Sequence, residues 1–322
     1  MKAFTDISRL SLNQATTQHW SVREAVEGCT RAGIPFIGLW REKVARIGLR
    51  ESARIIHDSS LNVSSLCRGG WFSAATTAER QKRLDDNRRA IDEAVELGTD
   101  MLVLVCGPAP DRDIDAARSY VEQALTALVP YAAERSVKLG IEPLHPMYAA
   151  ERSVIVTRAQ ANRLARQFSQ ENVGVVIDVY HVWWDPEIYA EIAAASGRIP
   201  GFHVCDWLVP APDMLLGRGM MGDGVIELRR LRTAVEEAGY TGPIEVEIFQ
   251  RELWEIPGDE ILKLMCALPG AYLSGSSSSY SKAQKRKSLL IGSIIKSNHI
   301  HRCFFRHHLS CRCSSWDRST GI

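Results

Sequence analysis

Short apolar segments alternate with longer segments of helical periodicity along most of the chain. Each short segment is rich in β-branched or other apolar residues and is bounded by polar or turn residues. This pattern is typical of strands that are buried on both faces of a parallel sheet. The predicted strands are Leu10–Leu12, Phe36–Leu39, Val63–Cys67, Met101–Val105, Leu139–Glu142, Val173–Asp178, Gly201–Val204 and Ile244–Ile248.

The longer segments predict a helix after each strand, because their apolar residues recur at helical spacing. Ser21 and Glu24 have the spacing of a capping box at the start of the first helix, and Gly33 and Gly239 are suited to helix ends. The predicted helices are Val22–Ala32, Leu49–Ser59, Ala78–Leu97, Ile114–Arg135, Ala159–Phe168, Glu187–Ala194, Leu228–Ala238 and Glu260–Leu268.

Eight strands, each followed by a helix, predict a (β/α)₈ TIM barrel that occupies residues 1–273. The alternative is a doubly wound open sheet, which usually has a glycine-rich turn after its first strand. The segment after Leu12, from Asn13 to Thr16, contains no glycine. The barrel is therefore the favoured architecture.

The formal net charge of +1 is distributed unevenly along the chain. Residues 274–322 contain nine Lys and Arg and one acid, Asp317, which leaves a net charge of −7 for residues 1–273. Such an acidic body lacks the basic surface of a nucleic-acid-binding protein. The N-terminus has no apolar signal-peptide stretch, and no run of about 18 apolar residues occurs. We therefore expect a cytoplasmic protein with no membrane or nucleic-acid partner.

Residues 274–322 differ in composition from the rest of the chain. A serine-rich linker leads into a basic segment that mixes histidine, cysteine and aromatic residues without a regular period. Cys311 and Cys313 are too close together for the usual zinc-binding pair, so we interpret this tail as an irregular extension, disordered or artefactual. The five cysteines of the body are widely spaced and are expected to be free thiols.

Acidic and histidine side chains occur at the ends of the last four predicted strands. Glu142 ends the fifth strand, Asp178 ends the sixth, His203 lies in the seventh, and the eighth contains Glu245 and Glu247. The C-terminal ends of barrel strands face the active site, and a carboxylate within an apolar strand is costly unless it is paired or metal-bound. Three carboxylates and one imidazole therefore predict a site for one divalent metal, with Mn²⁺ favoured and Mg²⁺, Co²⁺ or Zn²⁺ as alternatives.

Taken singly, each of these residues has a simpler interpretation. Asp178 has the position of a helix N-cap, and an isolated His203 is typical of a core histidine. Glu247 could pair with a lysine or arginine. Because Glu245 and Glu247 point to the same face of a strand, their spacing does not decide which of them is the ligand.

Several motifs in the second half of the chain resemble the xylose-isomerase-like superfamily of sugar isomerases and epimerases. They are IEP at Glu142, D-x-x-H at Asp178, H-V-x-D at His203, GRGMMGDGVIEL at residues 217–228 and VEIF at residues 246–249. The resemblance implies the barrel fold and a metal-dependent sugar-transforming activity.

The same resemblance implies a role for individual residues at the barrel mouth. The implied metal ligands are, in strand order, Glu142, Asp178, His203 and Glu247. On this basis Glu247, and not Glu245, is the ligand from the eighth strand. His181 and, in the loop after the seventh strand, Arg218 are implied to contact the substrate.

The implied chemistry is proton removal next to a ketone. A metal on the ketone oxygen acidifies the neighbouring C–H bond, and a base within hydrogen-bonding distance takes the proton. In ketose epimerases of this superfamily two ligand glutamates are the bases, here Glu142 and Glu247. His145, three residues after Glu142, is a further base candidate, although a loop histidine without a role is the alternative reading.

Aromatic residues accompany the predicted ligands and could line a pocket for a flat, apolar part of the substrate. Trp183 follows His181, and Trp207 follows His203. Together with His145, this pattern is similar to the large subunit of bacterial C-glycoside deglycosidases. That similarity implies β-elimination of an aglycone from a 3-keto sugar or glycoside with His145 as the base, and a small β-rich partner subunit. We also expect an oligomer.

Two other functions remain open at this stage. A sugar isomerase or ketose 3-epimerase would use the same proton removal, through Glu142 and Glu247, without a leaving group. An endonuclease IV-like repair enzyme on the same barrel is more remote. It would need a multinuclear zinc site and a basic DNA-binding surface, whereas residues 1–273 contain five histidines and are acidic.

Overall fold

Eight parallel strands form a barrel in the computed structural model, which describes residues 6–267. The sixth strand is divided at Val176 into two short segments, numbered separately. The strands are β1 Leu10–Asn13, β2 Phe36–Trp40, β3 Asn62–Gly70, β4 Met101–Val105, β5 Lys138–Ile141, β6 Val173–Val175, β7 Ile177–Asp178, β8 Phe202–Val204 and, last in the barrel, β11 Ile244–Val246. Each predicted strand is present, so the sequence pattern predicted the barrel correctly.

The barrel closes through the divided sixth strand. β6 pairs with β5 and β7 pairs with β8, while β1 lies between β2 and β11. At the division, the Val176 N–H donates to the Ile141 carbonyl at 2.9 Å and the Ile177 N–H donates to the Gly201 carbonyl at 3.0 Å. Hydrogen bonds to both neighbours therefore continue across the break.

Helices surround the barrel, and each predicted helix is present to within one turn at its ends. The helices are α1 Val22–Ala32, α2 Arg41–Ile47, α3 Leu49–His57, α4 Thr77–Glu96, α5 Ile114–Glu134, α6 Arg158–Ala165, α7 Val179–Val182, α8 Ile188–Ala194, α9 Leu228–Glu237, α10 Arg251–Trp254 and α11 Gly258–Ala267. Three of them, α2, α7 and α10, were not predicted, because four to seven residues are too few for a clear helical period.

The predicted helix signals are present at α1. The Ser21 side chain accepts from the Glu24 backbone, and the Glu24 carboxylate accepts from the Ser21 backbone N–H at 2.7 Å, which completes the capping box. Gly33 ends the helix in the left-handed conformation, with φ of 70°. None of the helices in residues 6–267 combines the length and apolarity that crossing a bilayer would need. The five cysteines of this part are free thiols.

An antiparallel ribbon interrupts the connection after β8. Its strands are β9 Asp206–Trp207 and β10 Arg218–Gly219, and Arg218 pairs with Trp207. The ribbon was not predicted, because two residues per strand leave no alternation to detect. It matters for the site, since it brings the loop that contains Arg218 back across the barrel mouth.

The barrel interior contains a buried carboxylate, Glu245, just below the mouth. It accepts hydrogen bonds from Asn13 at 2.6 Å, Ser64 at 2.7 Å and Ser65 at 3.0 Å. The β2–β3 register shifts at Gly38, so that two adjacent serines reach the same carboxylate. Gly38 also leaves the required space, because a Cβ atom at this position would overlap the Glu245 carboxylate. Both carboxylate oxygens of Glu245 therefore accept hydrogen bonds from neighbouring side chains.

Candidate metal and substrate site

Four buried side chains with metal-ligating atoms converge at the C-terminal ends of the strands. Their ligand atoms all lie within 4.8 Å of one another. The elements that position them are β5, β7, β8 and β11, which are neighbours on one side of the barrel. The four residues are those selected from the sequence, namely Glu142, Asp178, His203 and Glu247. A cluster of this composition could hold one divalent metal ion.

Orphaned polar atoms in the cluster support this reading. His203 Nδ1 lies 3.4 Å from Glu142 Oε1 and 3.6 Å from Glu247 Oε2, while Nε2 lies 3.8 Å from Glu245 Oε1. Both imidazole nitrogens and Glu142 Oε1 are buried without a hydrogen-bond partner among residues 6–267. Buried polar atoms are rarely left unsatisfied, so their convergence fits a group that bonds to them.

Burial of the acidic side chains dominates the electrostatics of the cluster. Burial raises the pKa of Glu142 to about 7, although the neighbouring His203 lowers it. Burial opposes protonation of His203, but Glu245, Glu142 and Glu247 outweigh it and raise its pKa. Without a cation, these side chains therefore retain protons that a metal ion would displace.

Arg218 lies inside the same cluster. Its Nη1 donates to Asp178 Oδ2 at 2.8 Å and to Glu247 Oε2 at 3.1 Å, and its Nη2 lies 3.2 Å from His181 Nε2. The guanidinium packs 4.6 Å from the Tyr180 ring centroid. One arginine and one divalent ion would together balance the three carboxylates in charge.

Asp178 is a helix N-cap, as one of its two sequence interpretations predicted, and it also lies in the cluster, where its role as a metal ligand stays a prediction. Its Oδ1 accepts the Tyr180 backbone N–H at 2.9 Å and caps α7. Its Oδ2 faces Arg218. Burial opposes ionisation of Asp178, but Arg218, His181 and His203 lower its pKa to about 2. The cap orients one oxygen and leaves the other available to the cluster.

Asp206 holds the loop that carries Arg218. Its buried carboxylate accepts backbone N–H groups from Trp207 at 2.9 Å, Gly222 at 2.8 Å and Ile226 at 3.0 Å. A Cβ atom at Gly224 would overlap the Trp207 carbonyl, so this turn requires glycine. The H-V-x-D and GRGMMGDG motifs therefore meet in space, the first anchoring the second.

His145 lies beside the aromatic residues of the mouth. Its ring stacks on Trp207, with centroids 5.3 Å apart, and meets Trp184 edge-on at 5.4 Å. Nδ1 accepts the Met147 backbone N–H at 3.2 Å, so a neutral ring carries its proton on Nε2. Burial lowers the pKa of His145, which favours the neutral ring near pH 7. Trp183 packs on Trp207 at 5.5 Å, so the tryptophans form one cluster.

His181 is buried between the cluster and the aromatic residues. Its ring lies 5.7 Å from Tyr148 and 5.6 Å from Tyr180, and burial lowers its pKa to about 3. The ring is therefore neutral and suited to hydrogen bonding with a substrate hydroxyl. The structure places His181 and Arg218 together beside the metal-ligand cluster, where the predicted substrate contacts would have to be.

Sequence reasoning missed several residues of the site. Asn13, at the end of β1, donates to Glu247 Oε1 at 3.2 Å and accepts from Trp40 Nε1 at 2.7 Å. The available signal was its position directly after the predicted strand Leu10–Leu12. Tyr148 and Tyr180 both donate hydrogen bonds to the Met214 carbonyl in the loop before Arg218, and no local pattern predicts that contact.

Comparison with known proteins identifies the family. A family model described as xylose isomerase-like TIM barrel matches residues 24–267. The chain belongs to this family. The crystal structure of a protein from Sinorhizobium meliloti 1021 superposes with a TM-score of 0.82 and 46% sequence identity, over 84% of this chain and all of that one. The family and fold implied by the sequence motifs are thereby confirmed.

Curated relatives of this chain are enzymes. A 3-dehydroshikimate dehydratase from Pseudomonas aeruginosa is 32% identical over 212 residues, which is 62% of this chain and 31% of the dehydratase. An inosose isomerase from Halalkalibacterium halodurans is 26% identical over 147 residues, which is 43% of this chain and 49% of the isomerase. The chain thus spans less than a third of the one enzyme and about half of the other.

Proposed function

We propose that this protein is a divalent-metal-dependent lyase acting on a small cyclic polyhydroxy ketone, either a keto sugar or a keto cyclitol. The observation that carries the proposal is the buried cluster of three carboxylates and His203, with orphaned ligand atoms, beside Arg218. The similarity of the chain to a dehydratase supports elimination, and the similarity of the chain to an inosose isomerase supports a ring ketone as the substrate.

The proposed metal ligands are Glu142, Asp178, His203 and Glu247. We propose Mn²⁺ as the resident ion, because three of the four ligands are oxygen donors. When bound, the ion would polarise the ketone oxygen and make the adjacent C–H bond more acidic. Glu245, 3.8 Å from His203 Nε2, is placed to orient this imidazole so that Nδ1 faces the ion.

The protein residues then have separate tasks in the elimination. His181 and Arg218 would bind the substrate hydroxyl and carbonyl groups. His145 is the proposed base: the C–H bond breaks, the proton passes to the imidazole and the electron pair forms the C=C bond. The leaving group departs with the electron pair of its broken bond and takes up a proton from the imidazolium or from solvent. Accepting the proton on Nε2 requires His145 to release the Met147 N–H, at a cost of about 1 kcal/mol.

Solvent-deuterium exchange distinguishes proton removal by the base from metal binding and from loss of the leaving group. With Mn²⁺-loaded protein, we expect exchange at the carbon next to the ketone of 3-dehydroshikimate or an inosose, followed by loss of water. His145→Ala should reduce both rates by about 10²–10⁴ with unchanged metal content, because a positioned base contributes a factor of this size. As a control, Asp178→Asn should lose metal and exchange together.

Two other outcomes of this experiment have distinct meanings. A His145→Ala variant that exchanges the proton normally but no longer eliminates would make His145 the acid that protonates the leaving group. Normal exchange together with isomerised or epimerised product would contradict the lyase. It would favour the second candidate, an isomerase or 3-epimerase in which Glu142 and Glu247 move the proton, which the similarity to inosose isomerase supports.

A narrower form of the proposal concerns the leaving group. The cluster of Trp183, Trp184 and Trp207 around His145 offers aromatic surface that an aromatic aglycone could use. We therefore keep elimination of an aglycone from a 3-keto glycoside, with a small β-rich partner subunit, as a prediction. Consumption of a 3-keto C-glycoside, alone or with such a partner, would support it, and consumption of free ring ketones alone would argue against it.

A further inference from the structure

Two half-buried arginines beside the proposed site have no carboxylate within ion-pair distance in the described part of the chain. The side chains of Arg68 and Arg152 form no hydrogen bond or ion pair with any residue between 6 and 267. Arg68 lies over the Trp71 ring at 4.2 Å, and Arg152 lies 5.7 Å from the Tyr148 ring centroid. Arg41 provides a contrast, since it is also partly buried but bonds to two carboxylates.

Backbone contacts bring these two arginines to the same part of the barrel mouth. The Trp71 N–H donates to the Val105 carbonyl at 2.7 Å, which joins the segment after Arg68 to the end of β4. Gly107, just after β4, forms a bridge with Ser153, the residue next to Arg152, and its carbonyl accepts the Val154 N–H at 2.9 Å. The segment after Arg68, the end of β4 and the segment that contains Arg152 are thus joined by backbone hydrogen bonds.

The pair also lies next to the metal-ligand cluster. Tyr148, which packs against Arg152, contacts the His181 ring at 5.7 Å. The charges of neighbouring groups agree with this placement. Burial lowers the pKa of Arg68 and Arg152 lowers it further, while Glu42 and, more weakly, Glu142 oppose the change. Burial lowers the pKa of Arg152, and Arg218 lowers it further.

Partly desolvated cations that repel each other are costly unless an anion lies between them. Planar guanidinium groups favour carboxylates, to which they donate charge-assisted hydrogen bonds. We propose that Arg68 and Arg152 bind a carboxylate substituent of the ring ketone, so that the substrate is a keto acid and not a neutral sugar. This inference rests on the proposed function, and the similarity to an enzyme named for a carboxylated ring supports it.

Binding of a matched pair of ligands without a ketone tests this inference apart from the chemistry. Shikimate and its methyl ester differ in the negative charge and one methyl group, and neither has a ketone that can enolise. We expect the Mn²⁺-loaded full chain to bind shikimate at least about tenfold more tightly than the ester by calorimetry, the usual worth of one charged hydrogen bond. Rising salt concentration should reduce this difference.

The variants then assign the difference to residues. Arg68→Gln and Arg152→Gln should each bring the affinity for shikimate close to that of the ester, and Arg68→Lys should retain part of the preference. Arg112→Gln, which removes an exposed arginine from the loop after β4, is the matched control and should behave as the unchanged protein. Metal content and melting temperature of each variant report whether the site and fold are intact.

The possible failures are distinguishable. Equal affinity for acid and ester, no binding of shikimate, or an unchanged preference in both glutamine variants would overturn the carboxylate assignment, whatever the protein catalyses. A charge preference that depends on Arg68 and Arg152, without any deuterium exchange into ring ketones, would retain the binding site and reject the proposed lyase instead.

Discussion

At the scale of single residues, two glutamates on one strand have different environments. Glu247 faces the cluster and meets Arg218, whereas Glu245 lies below it, saturated by Asn13, Ser64 and Ser65. Both side chains point into the barrel, as a period of two requires. Their depth along the barrel axis, and the donors found at each depth, distinguish the proposed ligand Glu247 from Glu245, which accepts hydrogen bonds from three side chains.

The pKa of Glu142 predicts how metal binding depends on pH. Because this carboxyl group binds a proton up to about pH 7 in the metal-free fold, an incoming cation must displace it. The affinity for Mn²⁺ should therefore fall by about tenfold per pH unit, for each proton displaced, as the pH decreases below 7.

Calorimetry in buffers of different ionisation enthalpy checks this prediction by counting the protons released. Because the pKa of Glu142 is raised in the folded protein, protonation of this group at low pH stabilises the metal-free fold. This contribution to stability is lost as the pH rises through about 7. Glu142→Gln, which introduces a neutral side chain of the same shape, should remove this pH-dependent contribution to stability. An affinity that does not change between pH 5 and 8 would contradict the proton displacement.

At the scale of elements, the loop between β8 and α9 determines where Arg218 lies. The β9–β10 ribbon and three backbone hydrogen bonds to Asp206 define the path of this loop. Arg218 itself is 4% exposed, so its position inside the cluster depends on a loop that crosses the mouth and does not follow from the barrel strands alone.

Asp206→Asn should loosen this loop while the barrel stays folded. The new amide places an N–H₂ group against backbone donors, and losing a hydrogen bond to a charged group costs about 1.5–3 kcal/mol. We expect faster hydrogen–deuterium exchange across residues 207–226 and a KM raised by about tenfold, with metal still bound. Asp223→Asn, an exposed acid in the same loop, is the control. Unchanged exchange in Asp206→Asn would show that the ribbon alone holds the loop.

At the scale of the whole molecule, the barrel accounts for the described residues without the C-terminal segment. All eight strands lie within residues 6–267, and the four proposed ligands lie in those strands or directly after them. The predicted domain boundary at residue 273 and the interpretation of residues 274–322 lie outside the described residues. The composition of that segment still predicts that catalysis does not need it.

Truncation after Leu273 should therefore leave metal content and turnover unchanged. Because an ion that binds only the native state stabilises it, Mn²⁺ should raise the melting temperature of the full and truncated proteins equally. Elemental analysis, turnover of a ring ketone and thermal unfolding check the three parts of this prediction. A truncated protein that loses metal or turnover would show that the tail packs on the barrel or contributes ligands.

The sequence by itself determined the barrel strands, the eight predicted helices and three residues of the cluster, while the family resemblance selected Glu247 over Glu245. Strand and helix periods are local properties, since a buried strand must be apolar and an amphipathic helix must repeat every three to four residues. Polar residues at four successive strand ends are equally visible, because each is an exception within an apolar run. Once a parallel barrel is predicted, those ends must meet at one mouth.

Only the tertiary structure decided which side chains meet across the barrel. The carboxylates that Arg218 contacts, the donors that surround Glu245 and the lack of an ion pair to Arg68 or Arg152 within residues 6–267 all depend on contacts between residues far apart in sequence. Such contacts follow from barrel closure, from the register shift at Gly38 and from the path of long loops. No local period encodes them, because a periodic pattern specifies the face a side chain points to and not the partner it finds there.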